Sequence, residues 1–174
     1  MENQQTSAKQ VMLNYGLILG FAGILINVAV FAMGKTYDPH WSVMVIVILV
    51  TIAVIVMGIK KVKESNNGLL SLGDALKTGL GIALIAGVIS VIYTFIFTNY
   101  IEPEYFERMA EVQQQKMLEQ YPNMSDEQIE NAMEMTKKMS GIGMTAAVSL
   151  IGSLFIGFII SLIAGLIMKK SEEE

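Results

Sequence analysis

Asp74 and Lys77 are the ionisable pair most suggestive of chemistry, because they stand three positions apart at the start of a long apolar segment. Residues three apart share one face of a helix, and ionisable groups within membranes often carry protons or ions. The spacing equally suits an ion pair at the membrane surface, with Asp74 near the helix N-terminus and Lys77 extending toward the lipid head groups. The sequence favours this interfacial ion pair, and a coupling site for a proton or ion is the alternative.

Asn27 is the one amide well inside an apolar segment. We expect it to hydrogen-bond a neighbouring helix, and a role in lining a polar pathway is the alternative. The chain has one histidine, His40, and no cysteine, which excludes thiolate chemistry. Methionines near residues 102–140 could bind Cu(I), although they more commonly fill apolar space. No nucleophile–base pair or set of metal ligands is visible, so we expect no catalytic residues, metal or cofactor.

These residues are positioned by four long segments that contain no Asp, Glu, Lys or Arg: Val11–Met33, Trp41–Ile59, Leu80–Phe97 and Gly141–Met168. About 20 helical residues cross the ~30 Å hydrocarbon layer of a bilayer. The composition agrees, since 53% of the 174 residues are hydrophobic and 16% are charged. The sequence therefore predicts an all-α polytopic integral membrane protein. Its single membrane domain, 1–174, has spans at about 11–33, 41–59, 72–99 and 141–168.

Residues 102–140, between the third and fourth spans, form an acidic insertion with nine acidic and four basic residues. Their pattern predicts two amphipathic helices with a break at Tyr121–Asn123. Ser125 and Gln128 have the spacing of a capping box that starts the second helix. We expect this hairpin to contact a protein partner or the membrane surface. No basic tract of the kind that binds nucleic acid is present.

Small side chains recur every four residues in the last two spans. They are Gly79, Ala83 and Gly87 in the third span, and Ser149, Ser153, Gly157 and Ser161 in the fourth. Small residues let two helix backbones approach closely in lipid. The pattern predicts that these two spans pack antiparallel against each other, and homodimerisation through an exposed stripe is the alternative.

Lysine and arginine counts predict the orientation of the chain. The side that holds both termini carries seven basic residues and the other side five, and an excess of Lys and Arg marks the cytoplasmic side. Two compact clusters, Lys60–Lys63 and Lys169–Lys170, lie directly at span ends, where the rule is strongest. We therefore expect both termini in the cytoplasm.

Three short stretches carry a family resemblance: Leu13–Gly16 (LNYG), Leu72–Gly79 (LGDALKTG) and Ile101–Tyr105 (IEPEY). With the order of spans and the acidic insertion, they resemble the bacterial membrane family called domain-of-unknown-function family 4199. The resemblance implies a four-span protein of the bacterial inner membrane whose activity is unknown. The resemblance assigns no catalytic or binding residue to this chain.

Three functions are compatible with these features. The favoured one is a non-enzymatic membrane component that has a structural or partner-binding role. The second is a small transporter or channel that uses Asn27 and also Asp74 and Lys77, and an enzyme comes third. A solvent-accessible polar cavity between the first and third spans would favour the transporter, whereas a tightly packed bundle would favour the first function.

Overall fold

The computed structural model describes residues 7–121, 124–139 and 141–170. These residues form an all-helical fold, which confirms the predicted fold class. Its helices are α1 (Ala8–Ala32), α2 (Trp41–Ser65), α3 (Leu72–Ile96), α4 (Tyr105–Gln120), α5 (Asp126–Met139) and α6 (Ile142–Met168). A π-helical turn, Phe97–Ile101, extends α3. Pro122 and Asn123 in the predicted break, and Ser140 at the end of the predicted insertion, lie outside the described residues.

Four of the helices are long and apolar enough to cross a membrane. In the described residues they are α1, α2, α3 with its π-helical turn, and α6, with 25, 25, 30 and 27 residues. At about 1.5 Å per residue, even the shortest exceeds the ~30 Å hydrocarbon layer. The protein is therefore a multi-pass membrane protein. Because the four helices alternate in direction, one end of the bundle carries α4 and α5, the hairpin end, and the other carries the start of α1 and the end of α6, the terminal end.

α3 is the central helix, and α6 packs antiparallel against it through small residues. A Cβ added at Gly157 would lie 2.5 Å from Ala83 Cβ, and one added at Gly79 would lie 2.6 Å from Ser161 Cβ. Such distances leave no room for a side chain, so the two backbones are in direct contact. The buried parts of the two small-residue stripes thus cover each other within one chain.

α1 packs parallel to α3 on its other side through a similar close approach. A Cβ added at Gly16 would lie 2.6 Å from Ile85 Cβ, and one at Gly20 would lie 2.7 Å from Ile89 Cδ1. α1, α3 and α6 thus form a wall with α3 in the middle. α2 lies across this wall and contacts all of the other three.

The terminal end of the bundle is closed by close packing. Ile55 and Ile59 of α2 and Ile82 of α3 are completely buried there. Lys63 donates a hydrogen bond of 2.7 Å to the carbonyl oxygen of Met168, and an antiparallel backbone bridge joins Leu70 to Lys170. These contacts tie the end of α2, the start of α3 and the end of α6 together.

The predicted capping box is confirmed at the start of α5. The Gln128 backbone N–H donates to Ser125 Oγ at 3.3 Å, and the Ser125 backbone N–H donates to Gln128 Oε1 at 3.0 Å. Such reciprocal bonds satisfy donors that a helix start otherwise leaves without partners. They fix where the chain resumes a helix after α4.

Candidate functional site

A cavity of about 530 Å³ lies between α2 and the wall formed by α1, α3 and α6, in the half of the bundle nearer the hairpin end. This volume falls in the ~300–1,000 Å³ range of small-molecule sites. Its described lining comes from all four spans, the 34–40 loop and the start of α4. The lining includes Gly23, Asn27, Val47, Ile48, Tyr93, Phe97, Tyr105, Ser149, Gly152 and Ser153.

The cavity exists because α2 packs on the wall along half of its length. Val54, Ile55, Ile59 and Val62 are buried, whereas none of the described residues 41–53 is. Across the gap, glycines replace side chains that would otherwise reach α2. A Cβ added at Gly23 or Gly152, both of which line the cavity, would meet no described atom within 4 Å.

No described lining residue is charged, and most of the lining is aliphatic. Several hydroxyls in it donate to their own helix. Thr51 donates to the Val47 carbonyl oxygen at 2.7 Å, and Ser153 donates to that of Leu150 at 2.9 Å. Hydroxyls bonded in this way need no further partner and can border apolar material. The cavity is therefore an uncharged, mostly aliphatic chamber whose polar lining groups are chiefly hydroxyls.

Asn27 supplies the one side-chain amide of the described lining. Tyr93 Oη donates a hydrogen bond of 2.8 Å to Asn27 Oδ1, which joins α1 to α3. The amide nitrogen, Nδ2, carries two N–H donors. Among the described residues, neither donor has an acceptor. The interhelical hydrogen bond expected from the sequence is present. Asn27 also lines the cavity, where its two Nδ2 donors remain.

Aromatic rings close the cavity at the hairpin end, and the cluster of Phe31, Phe97 and Tyr105 is called the roof. Phe97, in the π-helical turn, is buried, with ring centroids 5.3 Å from Phe31 and 5.8 Å from Tyr105, both edge-to-face. Tyr105 begins α4 and also lines the cavity, and burial raises the pKa of its hydroxyl above the ordinary value. Edge-to-face pairs add about 0.5–1.5 kcal/mol each beyond area burial, so the roof is a packed cluster.

Tyr37, Glu102 and Arg108 hold this roof against the 34–40 loop. Tyr37 Oη donates to Glu102 Oε1 at 3.0 Å, and Arg108 lies 3.4 Å from the same carboxylate oxygen. Burial, followed by the hydrogen bond to the Glu102 carboxylate, raises the pKa of Tyr37 to about 12. The tyrosine thus stays protonated, and stays a donor, throughout the neutral range.

A second contact between α4 and the loop is the ion pair of Lys116 with Asp38, whose Nζ and Oδ1 atoms are 2.6 Å apart. The hydrogen bond from Lys116 and its charge, with a smaller effect of Lys35, hold the pKa of Asp38 below its ordinary 3.8. A lowered pKa means that this pair stabilises the fold above pH 3.8, and that the stabilisation is lost as the pH falls through the lowered value.

We predict that Lys116→Met loosens α4 over the cavity at neutral pH, because Asp38 loses its partner. The protection factors of the α4 amides, which correct for the intrinsic pH dependence of exchange, should fall a few-fold. Acidification of the unaltered protein through the pKa of Asp38 should lower the same protection factors. Lys138→Met is the matched control, since Lys138 pairs with Glu134 inside α5. Equal α4 exchange in both variants would show that the pair does not hold the roof.

The other ionisable residues singled out in the sequence lie away from the cavity, at the terminal end. Ser71, the N-cap of α3, donates to Asp74 Oδ2 at 2.6 Å and accepts from the Asp74 backbone N–H at 3.1 Å. In the described part of the chain no ion pair joins Asp74 to Lys77, because the carboxylate is held by Ser71 instead. The predicted pairing of these two residues is therefore replaced by a helix cap.

The small residues predicted to pack lie in two overlapping environments. Those buried at the α3–α6 contact are Gly79, Ala83, Gly87, Gly157 and Ser161. Ala83, Gly87, Ser149 and Ser153 line the cavity, and Ser149 is exposed there. The stripe thus begins as a helix contact near the terminal end and continues as the cavity wall.

Sequence reasoning missed Gly23, Gly152 and Tyr105 as lining residues. A glycine without a helix neighbour looks the same in sequence as one at a contact, so no local signal separated Gly152 from Gly157. Tyr105 belongs to the insertion, and its place in the roof depends on the tertiary contact of α4 with the 34–40 loop. Within the described residues, no group of three or more His, Cys, Asp or Glu could hold a metal ion.

A family model described as "Protein of unknown function (DUF4199)" matches residues 14–170, which include all six helices except the first residues of α1. The matched range contains the LGDALKTG and IEPEY stretches and all of LNYG except Leu13. No curated protein and no solved structure matches the chain.

Proposed function

The chain belongs to the DUF4199 family of unknown function, as its motifs predicted, and we propose that it is a non-enzymatic membrane protein that binds a lipid in its cavity. The observation that carries the proposal is an uncharged chamber of about 530 Å³ at membrane depth. An empty chamber in a bilayer would forfeit dispersion contacts on every wall. A guest drawn from the surrounding lipid recovers those contacts.

Exposure of the lining supports entry from the bilayer. Val47 and Ile48 of α2 are 40% and 41% exposed, and Ile156 of α6 is 45% exposed. At the hairpin end, α1 is joined to α2 by the 34–40 loop, and α3 is connected to α6 through α4 and α5. No chain segment bridges α2 to α6 there in the described residues. The space between α2 and α6 is therefore the side through which a lipid chain can enter.

The orientation proposed from the lysine count places the chamber in one leaflet. With both termini in the cytoplasm of a bacterial inner membrane, the hairpin end faces outward and the chamber opens into the outer leaflet. The exposed acidic side chains of α4 and α5, such as Glu111 and Glu127, would then face the extracytoplasmic space. There they are available to a cationic protein partner.

A small transporter is the second candidate, and Asn27 is the observation in its favour. A transport path would run from Asn27 toward Asp74 and Lys77. The fully buried Ile55, Ile59 and Ile82 lie between these ends of the bundle, so such a path would require the terminal end to open. The cavity matches neither sequence expectation, because it is neither a solvent-filled polar channel nor a tightly packed bundle.

Cysteine labelling separates a lipid-filled chamber from a water-filled path, because the chain has no cysteine of its own. We expect Gly152→Cys to react in membranes with an apolar maleimide and to resist a charged, membrane-impermeant one. Ile163→Cys, on a lipid-facing part of α6, should behave in the same way. Rapid reaction of Gly152→Cys with the charged reagent, while Ile163→Cys stays unreactive, would overturn lipid binding in favour of the transporter.

Two further cysteine variants calibrate the experiment in intact cells. Glu119→Cys on α4 should react with the charged maleimide, and Asn67→Cys, between α2 and α3, should not. This pair reports the proposed orientation separately from the content of the chamber. The reverse pattern would place the termini outside and the chamber in the inner leaflet. The labelling of Gly152→Cys could then still be measured in membranes that are accessible from both sides.

A further inference from the structure

We propose that the guest is a neutral acylglycerol whose ester carbonyl accepts a hydrogen bond from Asn27 Nδ2 while its acyl chain fills the cavity. The inference rests on the proposed lipid-binding function and adds the chemistry that the site recognises. Its structural basis is an exposed amide with two free donors on the wall of a chamber that is uncharged and mostly aliphatic. A guest with an uncharged oxygen at the right depth satisfies that amide.

The donors of Asn27 define the guest as an acceptor. Oδ1 is occupied by the Tyr93 hydroxyl at 2.8 Å, which also fixes the plane of the amide. The Asn27 side chain is exposed on the bundle, and the two N–H groups of Nδ2 have no acceptor among the described residues. Where the bundle faces hydrocarbon, donors left unpaired in this way are unfavourable. The hydroxyls of Thr51, Thr98 and Ser153 donate to carbonyl oxygens of their own helices, and among the described residues no hydroxyl accepts from Asn27 Nδ2.

The lining excludes a charged group beside Asn27. No described lining residue carries a charge, so an anionic or cationic head placed at this depth would lie in apolar surroundings without a counter-ion. An ester carbonyl has a strong acceptor and no charge. It also joins directly to an acyl chain, which is the part that the aliphatic lining can take up.

The charges above the roof favour a neutral acylglycerol over a phospholipid as the molecule that carries the ester. Arg108 is already shared by Glu102 and Glu104, and Lys116 is paired with Asp38. The carboxylates that occupy these cations would repel a phosphate placed at the hairpin end, above the chamber. A glycerol head carries no charge and meets no such repulsion.

The test compares three amphiphiles with the same sixteen-carbon tail by native mass spectrometry of the detergent-solubilised protein. Monopalmitin is a neutral ester, hexadecylglycerol is the matching ether without a carbonyl, and palmitoyl lysophosphatidic acid is an anionic ester. We expect occupancy by monopalmitin to exceed that by the ether about threefold to tenfold, as one net hydrogen bond provides. The anionic ester should bind more weakly than monopalmitin.

Variants assign the preference to Asn27. Asn27→Leu should bind monopalmitin and the ether equally, whereas Asn14→Leu, an exposed asparagine of the same helix outside the cavity, should keep the preference. The comparison of the lipids on the unaltered protein stands even if one variant fails to fold.

Each outcome decides between the two proposals. Equal, saturable binding of ester and ether by the unaltered protein leaves lipid binding standing and overturns recognition by Asn27. Tighter binding of the anionic ester than of monopalmitin would show that the guest is not a neutral acylglycerol. Absence of saturable binding by all three overturns the lipid-binding function itself, and the ester inference falls with it.

Discussion

Replacing Gly79 with leucine is expected to separate α3 from α6 and to unfold the bundle at lower temperature. A Cβ at this position would already lie 2.6 Å from Ser161 Cβ and 3.3 Å from Ile55 Cγ2. Leucine adds three carbons beyond Cβ at a point where α2, α3 and α6 meet. Overpacking in a closed core costs about 1–3 kcal/mol, and here a backbone must move, so we expect the upper part of that range or more.

Thermal unfolding in mild detergent measures this effect, and Gly157→Leu should repeat it from the α6 side, since its Cβ would meet Ala83 at 2.5 Å. Gly152→Leu is the matched control on α6, because nothing described lies within 4 Å of a Cβ there. If all three variants unfold at the same temperature as the unaltered protein, α3 and α6 do not pack as described. A change in oligomeric state alone would indicate an intermolecular contact.

Filling the chamber with Gly23→Leu and Gly152→Leu together is expected to abolish lipid retention without loss of stability. Both positions line the cavity and have open space around a Cβ. Each methylene that a guest can no longer bury is worth about 0.8 kcal/mol, and two leucines displace several, so occupancy should fall about tenfold or more. Lipid bound after purification, counted by native mass spectrometry, reports the change.

Gly143→Leu is the control for this double variant, because it adds the same side chain to α6 at an open position that does not line the cavity. It should retain as much lipid as the unaltered protein. Equal retention by the filled and unfilled proteins would mean that co-purified lipid lies on the outer surface of the bundle. Instability of the double variant would contradict the open geometry at Gly23 and Gly152.

The membrane helices were predictable because their physical cause is local. A run without charge that is long enough to cross the hydrocarbon layer has few alternatives, and Ser125 with Gln128 specifies a helix start within four residues. The rhythm of small residues also placed α3 beside α6, because Gly79 and Gly157 let backbones touch. These features depend on residue type and spacing alone.

The cavity was not predictable, because hydropathy does not separate a helix face in lipid from one in the core. Ile82 is 0% exposed and Ile92 on the same helix is 55% exposed, although both are isoleucines in one apolar run. The cavity forms where α2 stands off the wall, and this depends on which glycines have neighbours. The partner of Asn27 and the roof residue Tyr105 likewise depend on contacts distant in sequence.

Photolabelling in the bilayer tests most directly whether the chamber holds a lipid. The unaltered protein is reconstituted with a monoacylglycerol that carries a diazirine on its acyl chain, and the labelled peptides are mapped after irradiation. We expect adducts on the cavity wall, at residues such as Ile48 and Ile156, that unlabelled monopalmitin competes away. Adducts spread evenly over lipid-facing residues such as Leu25 and Ile163, with no competition by monopalmitin, would contradict a lipid-binding chamber.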